Sequence, residues 1–304
     1  MIAFIFPGQG SQKVGMGKAL AGAFPICRDA FAEADEALGQ PLSRLCFDGP
    51  ADELTLTENT QPAILAMSVA VDRLLRSRGL APAWAAGHSL GEYSAHVSAG
   101  TIAFADALRI VRRRGRYMQE AVPPGVGAMA ALLKLPEGRL AEVLAASAPG
   151  QVLSAANLNS PDQVVISGHA GAVQRALEAA KAAGARRAVL LPVSAPFHCS
   201  LMMPAQERLA VDLNATAFAD LACPLVNNWQ AREIRTGAEA RQGLIHQVSS
   251  PVRWMESVRY LAAQGVARFV EVGAGGVLTG LLRAIDPALE GVRCGEAEDL
   301  EGVG

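Results

Sequence analysis

Cysteine is sparse and poorly spaced for any cross-linked or metal-bound design: Cys27, Cys46, Cys199, Cys223 and Cys294 are odd in number and form no C-x-x-C pair. That argues against a disulfide framework and a thiolate metal site, and it fits a reducing cytoplasm. No grouping of His, Cys and carboxylate residues has metal-ligand spacing, so no metal is expected. An excess of one charge is also missing. A formal net charge of -2, with 18% charged residues, offers no general attraction to nucleic acid or to a membrane surface. No apolar run approaches the ~18 residues a spanning helix needs. The apolar start at residues 1–6 stops at Pro7 with no basic segment before it, so neither export nor membrane insertion is expected. Internal repeats and low-complexity tracts are absent as well.

What is present is 304 residues of 51% hydrophobic composition, enough for one large domain or two modest ones. Residues 2–6 read as a buried strand, followed by the loop Pro7-Gly8-Gln9-Gly10-Ser11-Gln12. That loop lacks the Gly-Lys-Ser/Thr ending of a phosphate-binding P-loop. Helical patterns cover 19–38, 61–78 and 104–122, and alternation with strands implies an α/β protein with a mostly parallel sheet. Pro123-Pro124-Gly125-Val126-Gly127 interrupts this rhythm. Beyond it the expected order is strand 128–134, helix 136–147, strands 152–157 and 163–167 around the turn 159–162, helix 171–183 and strand 188–193. This βαββαβ order is that of a ferredoxin-like unit. The expected division is therefore a large hydrolase-like domain from residues 1–124 and 194–304, with a ferredoxin-like subdomain inserted at 125–193. Helices at 201–215, 241–247 and 252–264 and a strand at 269–272 follow, and the tail after Pro287 reads as loosely held.

Gly87-His88-Ser89-Leu90-Gly91 lies between the apolar run 83–86 and a helical stretch at 92–99. A strand-serine-helix corner between glycines lifts the hydroxyl clear of the sheet as a nucleophile, and the Leu90 amide at the helix start could hold a developing oxyanion. The five-residue pattern is common enough by chance that its context has to carry the assignment. A serine needs a base, and His88, His96, His169, His198 and His246 are the candidates. His88 is adjacent to Ser89 at a sharp turn, where neighbouring side chains diverge. His198, in Ser194-Ala195-Pro196-Phe197-His198-Cys199, follows a strand at the sheet edge that also carries the serine corner; the alternative is a structural loop histidine. Five arginines, Arg109, Arg112, Arg113, Arg114 and Arg116, crowd one helix, which by itself reads as a solvated face.

Taken in order, Gly8-Gln9-Gly10-Ser11-Gln12, Gly87-His88-Ser89-Leu90-Gly91-Glu92, Arg114-Gly115 and Pro196-Phe197-His198 resemble the malonyl-CoA:acyl carrier protein transacylases of fatty acid synthesis. The resemblance runs from residue 1 to about 285 and includes 151–168 and 271–280. It implies that Ser89 attacks the thioester of malonyl-CoA, with His198 as base and then acid. His198 next deprotonates the pantetheine thiol of the acyl carrier protein, which takes the malonyl group. Amides of Gln9 and Leu90 would form the oxyanion hole, and Arg114 would clamp the malonyl carboxylate in a two-pronged hydrogen bond. A carbonyl oxygen of Gln247, in place of an aspartate, would orient His198. Installing a carboxylate at 247 is accordingly expected to raise hydrolysis relative to transfer.

The resemblance also implies that Asn157, flanking the cleft with Asn159, lies near the acyl group and that His88 is a supporting hydrogen bonder beside the nucleophile. Phe197 stands where many relatives carry serine and should crowd a 2-methyl branch. Coenzyme A enters as a thioester substrate and no cofactor is expected; a cytoplasmic monomer is. Arg112, Arg113, Arg116, Arg186 and Arg187 are candidates for meeting an acidic carrier. Three rivals stand beside this reading. The same chemistry could serve a polyketide synthase or malonate decarboxylase carrier. A serine hydrolase would release free malonate faster than it loads a carrier. A non-catalytic carrier-binding module would have no need of Ser89, His198 and Arg114 together.

Overall fold

The computed structural model describes residues 1–193 and 195–302. Ser194, the expected re-entry point into the large unit, and the final residues Val303 and Gly304 lie outside the described residues.

Among the described residues, ten strands form two sheets: β1 Ile2–Phe6, β2 Trp84–Gly87, β3 Gly127–Leu133, β4 Leu153–Ser160, β5 Gln163–His169, β6 Arg187–Leu190, β7 Leu225–Val226, β8 Glu233–Ile234, β9 Arg268–Val272 and β10 Glu290–Cys294. The larger sheet has the order β10-β9-β1-β2-β7-β8. Its pairs are parallel except β7–β8, so the mostly parallel sheet expected from the alternation is present. Phe4, Ile5, Ala85 and Ala86 are fully buried, because a central parallel strand is covered on both faces and has no use for alternating polarity. Register then sets up the site. Phe6 pairs with Gly87 and the His88 amide donates to Phe6 O at 3.0 Å, so the chain leaves both strands side by side at the same sheet edge.

The second sheet contains β3, β4, β5 and β6 in the order β4-β5-β3-β6, all pairs antiparallel, with the helices Arg139–Ser147 and Ala170–Ala182 in the connections. A separate apolar cluster, including Leu132, Val143, Ile166, Val173 and Leu177, packs those helices on the sheet. β4 is tied back to the rest of the chain by a parallel bridge: Val252 N donates to Ala156 O at 2.8 Å and Leu158 N donates to Val252 O at 2.9 Å.

Several elements differ from expectation, each for a local reason. The helix expected over 19–38 is two, Lys18–Ala23 and Pro25–Leu38, because Pro25 has no amide to continue the first and is well suited to begin the second. The strand expected to reach Lys134 ends at Leu133, where Lys134 adopts φ 52°. The following helix begins at Arg139, not at 136, after Gly138 turns the chain with φ 79°. The helix expected from 241 starts at Gly237 behind a reciprocal cap, in which Thr236 and Glu239 each bond the other's backbone amide. The tail is not loose up to Cys294: β10 pairs with β9 over five residues and closes one edge of the large sheet. Strands β7 and β8 and the helices Leu42–Asp48 and Ala51–Thr55 are too short for periodicity to reveal. Among the described residues, no helix is long and apolar enough to cross a membrane.

Candidate active site

The corner after β2 is shaped by close approach. A Cβ on Gly87 would fall 2.0 Å from the Gly91 carbonyl, and one on Gly91 would fall 2.0 Å from Phe6 O, so neither position admits a larger residue without backbone movement. Ser89 between them has φ 52° and ψ -106°. His198 is likewise in the left-handed region, at φ 59°. Such conformations cost about 1–3 kcal/mol each and persist only where the surroundings impose them. For Ser89 the imposing group is Asn228, whose Oδ1 accepts from Ser89 N at 2.7 Å while its Nδ2 donates to Gly87 O at 2.6 Å.

These two strained residues meet: Ser89 Oγ lies 2.8 Å from His198 Nε2. His198 Nδ1 faces the main-chain oxygens of Gln247 at 3.0 Å and Ser250 at 3.2 Å. Carbonyls only accept, so the ring proton sits on Nδ1 and Nε2 is left to accept from the serine. Burial, reinforced by the Arg114 charge, holds the His198 imidazole down to about 3, which keeps it neutral and able to take a proton.

Arg114 is 1% exposed, and burial lowers its pKa. Its Nη1 donates to Gln61 Oε1 at 2.8 Å; its Nη2 donates to Gln247 Oε1 at 2.8 Å and to Ser89 Oγ at 3.1 Å. A guanidinium beside the serine, on a helix whose other arginines point elsewhere, is not a solvated face. Arg113 instead pairs with Asp212, and Arg109, Arg112, Arg113 and Arg116 border a shallow surface depression. Arg186 and Arg187 are exposed at the start of β6.

A cavity of about 270 Å³ opens in front of Ser89. Gln9, Leu90, Arg114, Asn157, Phe197 and His88 all line it, together with Gln61 and Met118. The main-chain amides of Gln9 and Leu90 donate to no protein acceptor among the described residues. His88 points away from the serine and its Nε2 is 2.8 Å from Asn159 Oδ1, so the two neighbours diverge as the sharp turn requires. Burial lowers the pKa of His88.

The expectation tied to a carboxylate side chain at position 247 is corrected by the geometry. The group of Gln247 that touches His198 is its backbone oxygen, while its side chain turns the other way, toward Arg114, Ser89 O at 2.9 Å and Glu92 Oε2 at 2.7 Å. A carboxylate installed at 247 would face the arginine and not the imidazole, so the expected effect on hydrolysis loses its basis.

Sequence reasoning did not single out Gln61, Asn228 or Ser250, and it quoted Glu92 only within the motif around Ser89, with no role of its own. Gln61 and Glu92 are polar residues that the fold buries essentially completely, each on a helix that also carries other polar residues. Asn228, in the unread stretch after β7, carried no signal.

A histidine-backed serine on a strand-to-helix corner of a mostly parallel sheet is the arrangement of proteins that move acyl groups through a serine ester. Comparison with known proteins agrees. A family model described as an acyl transferase domain matches residues 3–298. The chain is 53% identical over 284 residues to the malonyl CoA-acyl carrier protein transacylase of Escherichia coli (strain K12), covering 93% of this chain and 92% of that protein. It is 47% identical over 301 residues to the same-named protein of Bacillus subtilis (strain 168), covering 99% and 95%. The crystal structure of an acyl carrier protein S-malonyltransferase from Vibrio cholerae superposes with a TM-score of 0.98 at 47% identity, covering 100% of this chain and 99% of that one. A malonyl-transacylase, PlMCAT, bound to the type II polyketide carrier AntF superposes with a TM-score of 0.96 at 46% identity, covering 99% and 97%. The chain belongs to the acyl transferase family.

Proposed function

We infer that this protein transfers a malonyl group from malonyl-CoA to the phosphopantetheine thiol of an acyl carrier protein, in the cytoplasm and for fatty acid synthesis. The observation that carries the reading is the 2.8 Å contact between Ser89 and a neutral His198, with the Arg114 guanidinium 3.1 Å from the same hydroxyl. Ser89 Oγ attacks the thioester carbon as His198 Nε2 takes its proton. The Gln9 and Leu90 amides hold the tetrahedral oxyanion, and the proton passes from His198 to the departing CoA thiolate, leaving O-malonyl-Ser89. The carrier thiol then gives its proton to His198 and attacks the ester, and His198 returns that proton to Ser89. Arg114 holds the free carboxylate throughout, exchanging its present bond to Ser89 Oγ for one to substrate. Asn157 and Phe197 border the acyl group, and His88 braces Asn159. The chemistry needs only acid-base and nucleophilic groups, so the reading invokes no cofactor.

Within this reading the four-stranded unit, about residues 125–193, is a ferredoxin-like subdomain inserted into a hydrolase-like domain of residues 1–124 and 194–304. The order β4-β5-β3-β6 with two helices in the connections supports it. A polyketide carrier as acceptor is the second reading, favoured by the likeness to a transacylase solved with a polyketide carrier. Intact-mass measurement after incubation with malonyl-CoA tests the chemistry: a malonyl adduct is expected on the native chain and absent from Ser89→Ala. An adduct that persists in Ser89→Ala overturns the reading. Adding fatty-acid-type or polyketide-type carriers in turn, and following which one discharges the adduct, decides the acceptor.

A further inference from the structure

Behind the candidate carboxylate clamp stands a buried carboxylate that the mechanism above does not use. Glu92 is fully buried on the helix Leu90–Ser98, three residues after the nucleophile. Its Oε2 accepts from Gln247 Nε2 at 2.7 Å and from the Asn228 amide at 3.1 Å. Its Oε1 is 3.9 Å from His96 Nε2, beyond hydrogen-bond range, and His96 is kept neutral by burial. The interactions that define Glu92 are thus directed at Gln247 and Asn228.

We propose that Glu92 is a positioning residue for malonyl selectivity, setting the direction of the Gln247 amide so that its oxygen stays on Arg114. This rests on the reading of Arg114 as the carboxylate clamp. A buried glutamine amide can be turned over with little change of shape, exchanging donor for acceptor, so something must choose between the two orientations. In the observed one, Nε2 faces three acceptors, Glu92 Oε2 at 2.7 Å, Ser89 O at 2.9 Å and, at a long 3.5 Å, Asn228 Oδ1, and Oε1 faces the donor Arg114 Nη2. Turned over, the oxygen would confront all three acceptors and the NH2 would confront the guanidinium. The Ser89 carbonyl belongs to the elbow and is present whatever stands at 92. Glu92 supplies the shortest of the three contacts, and it comes from a side chain whose hydrogen-bonded partners among the described residues are groups of the site.

The consequence is specific to the acid end of the substrate. His198 is oriented by backbone oxygens, which do not depend on the direction of the Gln247 amide. Asn228 keeps two side-chain anchors on the elbow, Ser89 N and Gly87 O, when its amide loses Glu92. Loss of the Glu92 acceptor should therefore loosen Arg114 while sparing the serine-histidine pair.

The test compares loading of Ser89 from malonyl-CoA and acetyl-CoA in wild type, Glu92→Met and Glu92→Gln, with KM and kcat separated. Glu92→Met removes the acceptor; Glu92→Gln retains an oxygen in the same shape. Glu92→Met is expected to raise KM for malonyl-CoA about tenfold, the loss typical of one buried hydrogen bond in a charged network, with acetyl loading within about twofold. Glu92→Gln should restore most of the malonyl preference. Equal losses for both thioesters, no change in either, or a Glu92→Gln as impaired as Glu92→Met would each overturn the proposal. Should Glu92→Met not fold, Glu92→Asp withdraws the oxygen by about 1.5 Å and must show the same malonyl-specific rise. Arg114→Ala run in parallel separates the two levels of inference. If it keeps the malonyl preference, the clamp reading falls; if it loses the preference while Glu92→Met keeps it, only the role of Glu92 falls.

Discussion

The two sides of Ser89 are built differently. On one side His198 is supported by the neutral carbonyls of Gln247 and Ser250; on the other Arg114 is held by Gln61 and Gln247, with the Glu92 carboxylate behind them. The buried Glu92 carboxyl, whose pKa burial raises to about 7, is linked through Gln247 to the arginine and not to the imidazole. A carbonyl fixes the tautomer of His198 without lending it the stabilisation that a carboxylate gives an imidazolium. The same Gln247 serves both sides, with its backbone toward the base and its side chain toward the cation. In the proposed reading this is a division of labour: the buried guanidinium meets the substrate carboxylate, and neutral backbone oxygens orient the base.

The sharpest break of that comparison is to remove each side in turn. His198→Ala should lower loading from malonyl-CoA and acetyl-CoA alike, by roughly 10²–10⁴-fold, the usual worth of a positioned base. Arg114→Ala should act unevenly, cutting malonyl loading roughly 30- to 4000-fold more than acetyl loading, as expected when a buried charge pair worth about 2–5 kcal/mol is lost. Steady-state loading rates with both thioesters measure this, and parallel losses in both variants would erase the distinction. Arg114→Lys should not rescue the malonyl preference, because an ammonium cannot reproduce the fork that grips a carboxylate.

A smaller effect lies at the cavity wall. Phe197, mostly buried and lining the cavity beside His198, should exclude a 2-methyl branch by bulk. Phe197→Ser should increase methylmalonyl loading relative to malonyl by about tenfold, within the range a pocket methylene discriminates. Competition between the two thioesters reads the ratio. A wild-type protein that already accepts both equally would remove the basis for the prediction.

The smallest effect concerns stability. His96 is fully buried, neither ring nitrogen has a protein partner among the described residues, and burial holds its pKa near 3. The unfolded chain takes up the proton from about pH 6.5 downward while the folded state resists it until about pH 3. The stabilisation is therefore complete above that upper value and is lost as the pH falls. Between pH 7 and 5 this one group should remove about 2 kcal/mol. Urea unfolding at the two pH values should show a smaller drop in His96→Gln than in wild type; equal drops would mean that His96 is protonated in the folded protein. His198 contributes in the same direction, so the variant should flatten the acid slope without abolishing it.

Much of this was legible before any coordinates. The glycines at 87 and 91 and the serine between them announced the corner because close backbone contact leaves no other residue type room. The alternation of strands and helices announced a mostly parallel sheet, and the arginine cluster was visible although not which of its members is buried. Arg114, rather than Arg113 or Arg116, faces the site because of helix phase against the helix Thr57–Ser77, where Gln61 waits to receive it. Short pieces such as β7 and β8 left no periodic trace, and Asn228 lies two residues beyond the first of them.

The sequence by itself determined the local chemistry: a strained serine corner, a loop histidine, and apolar strands that can only be buried. The tertiary structure alone decided which polar groups would face one another. Residues 61, 92, 114, 228 and 247 come from different helices and loops, and each is placed by burial of the apolar surface around it. Hydrogen-bond partners so far apart in the chain leave no mark on local propensity, because their pairing is enforced by the cost of leaving a buried polar atom alone.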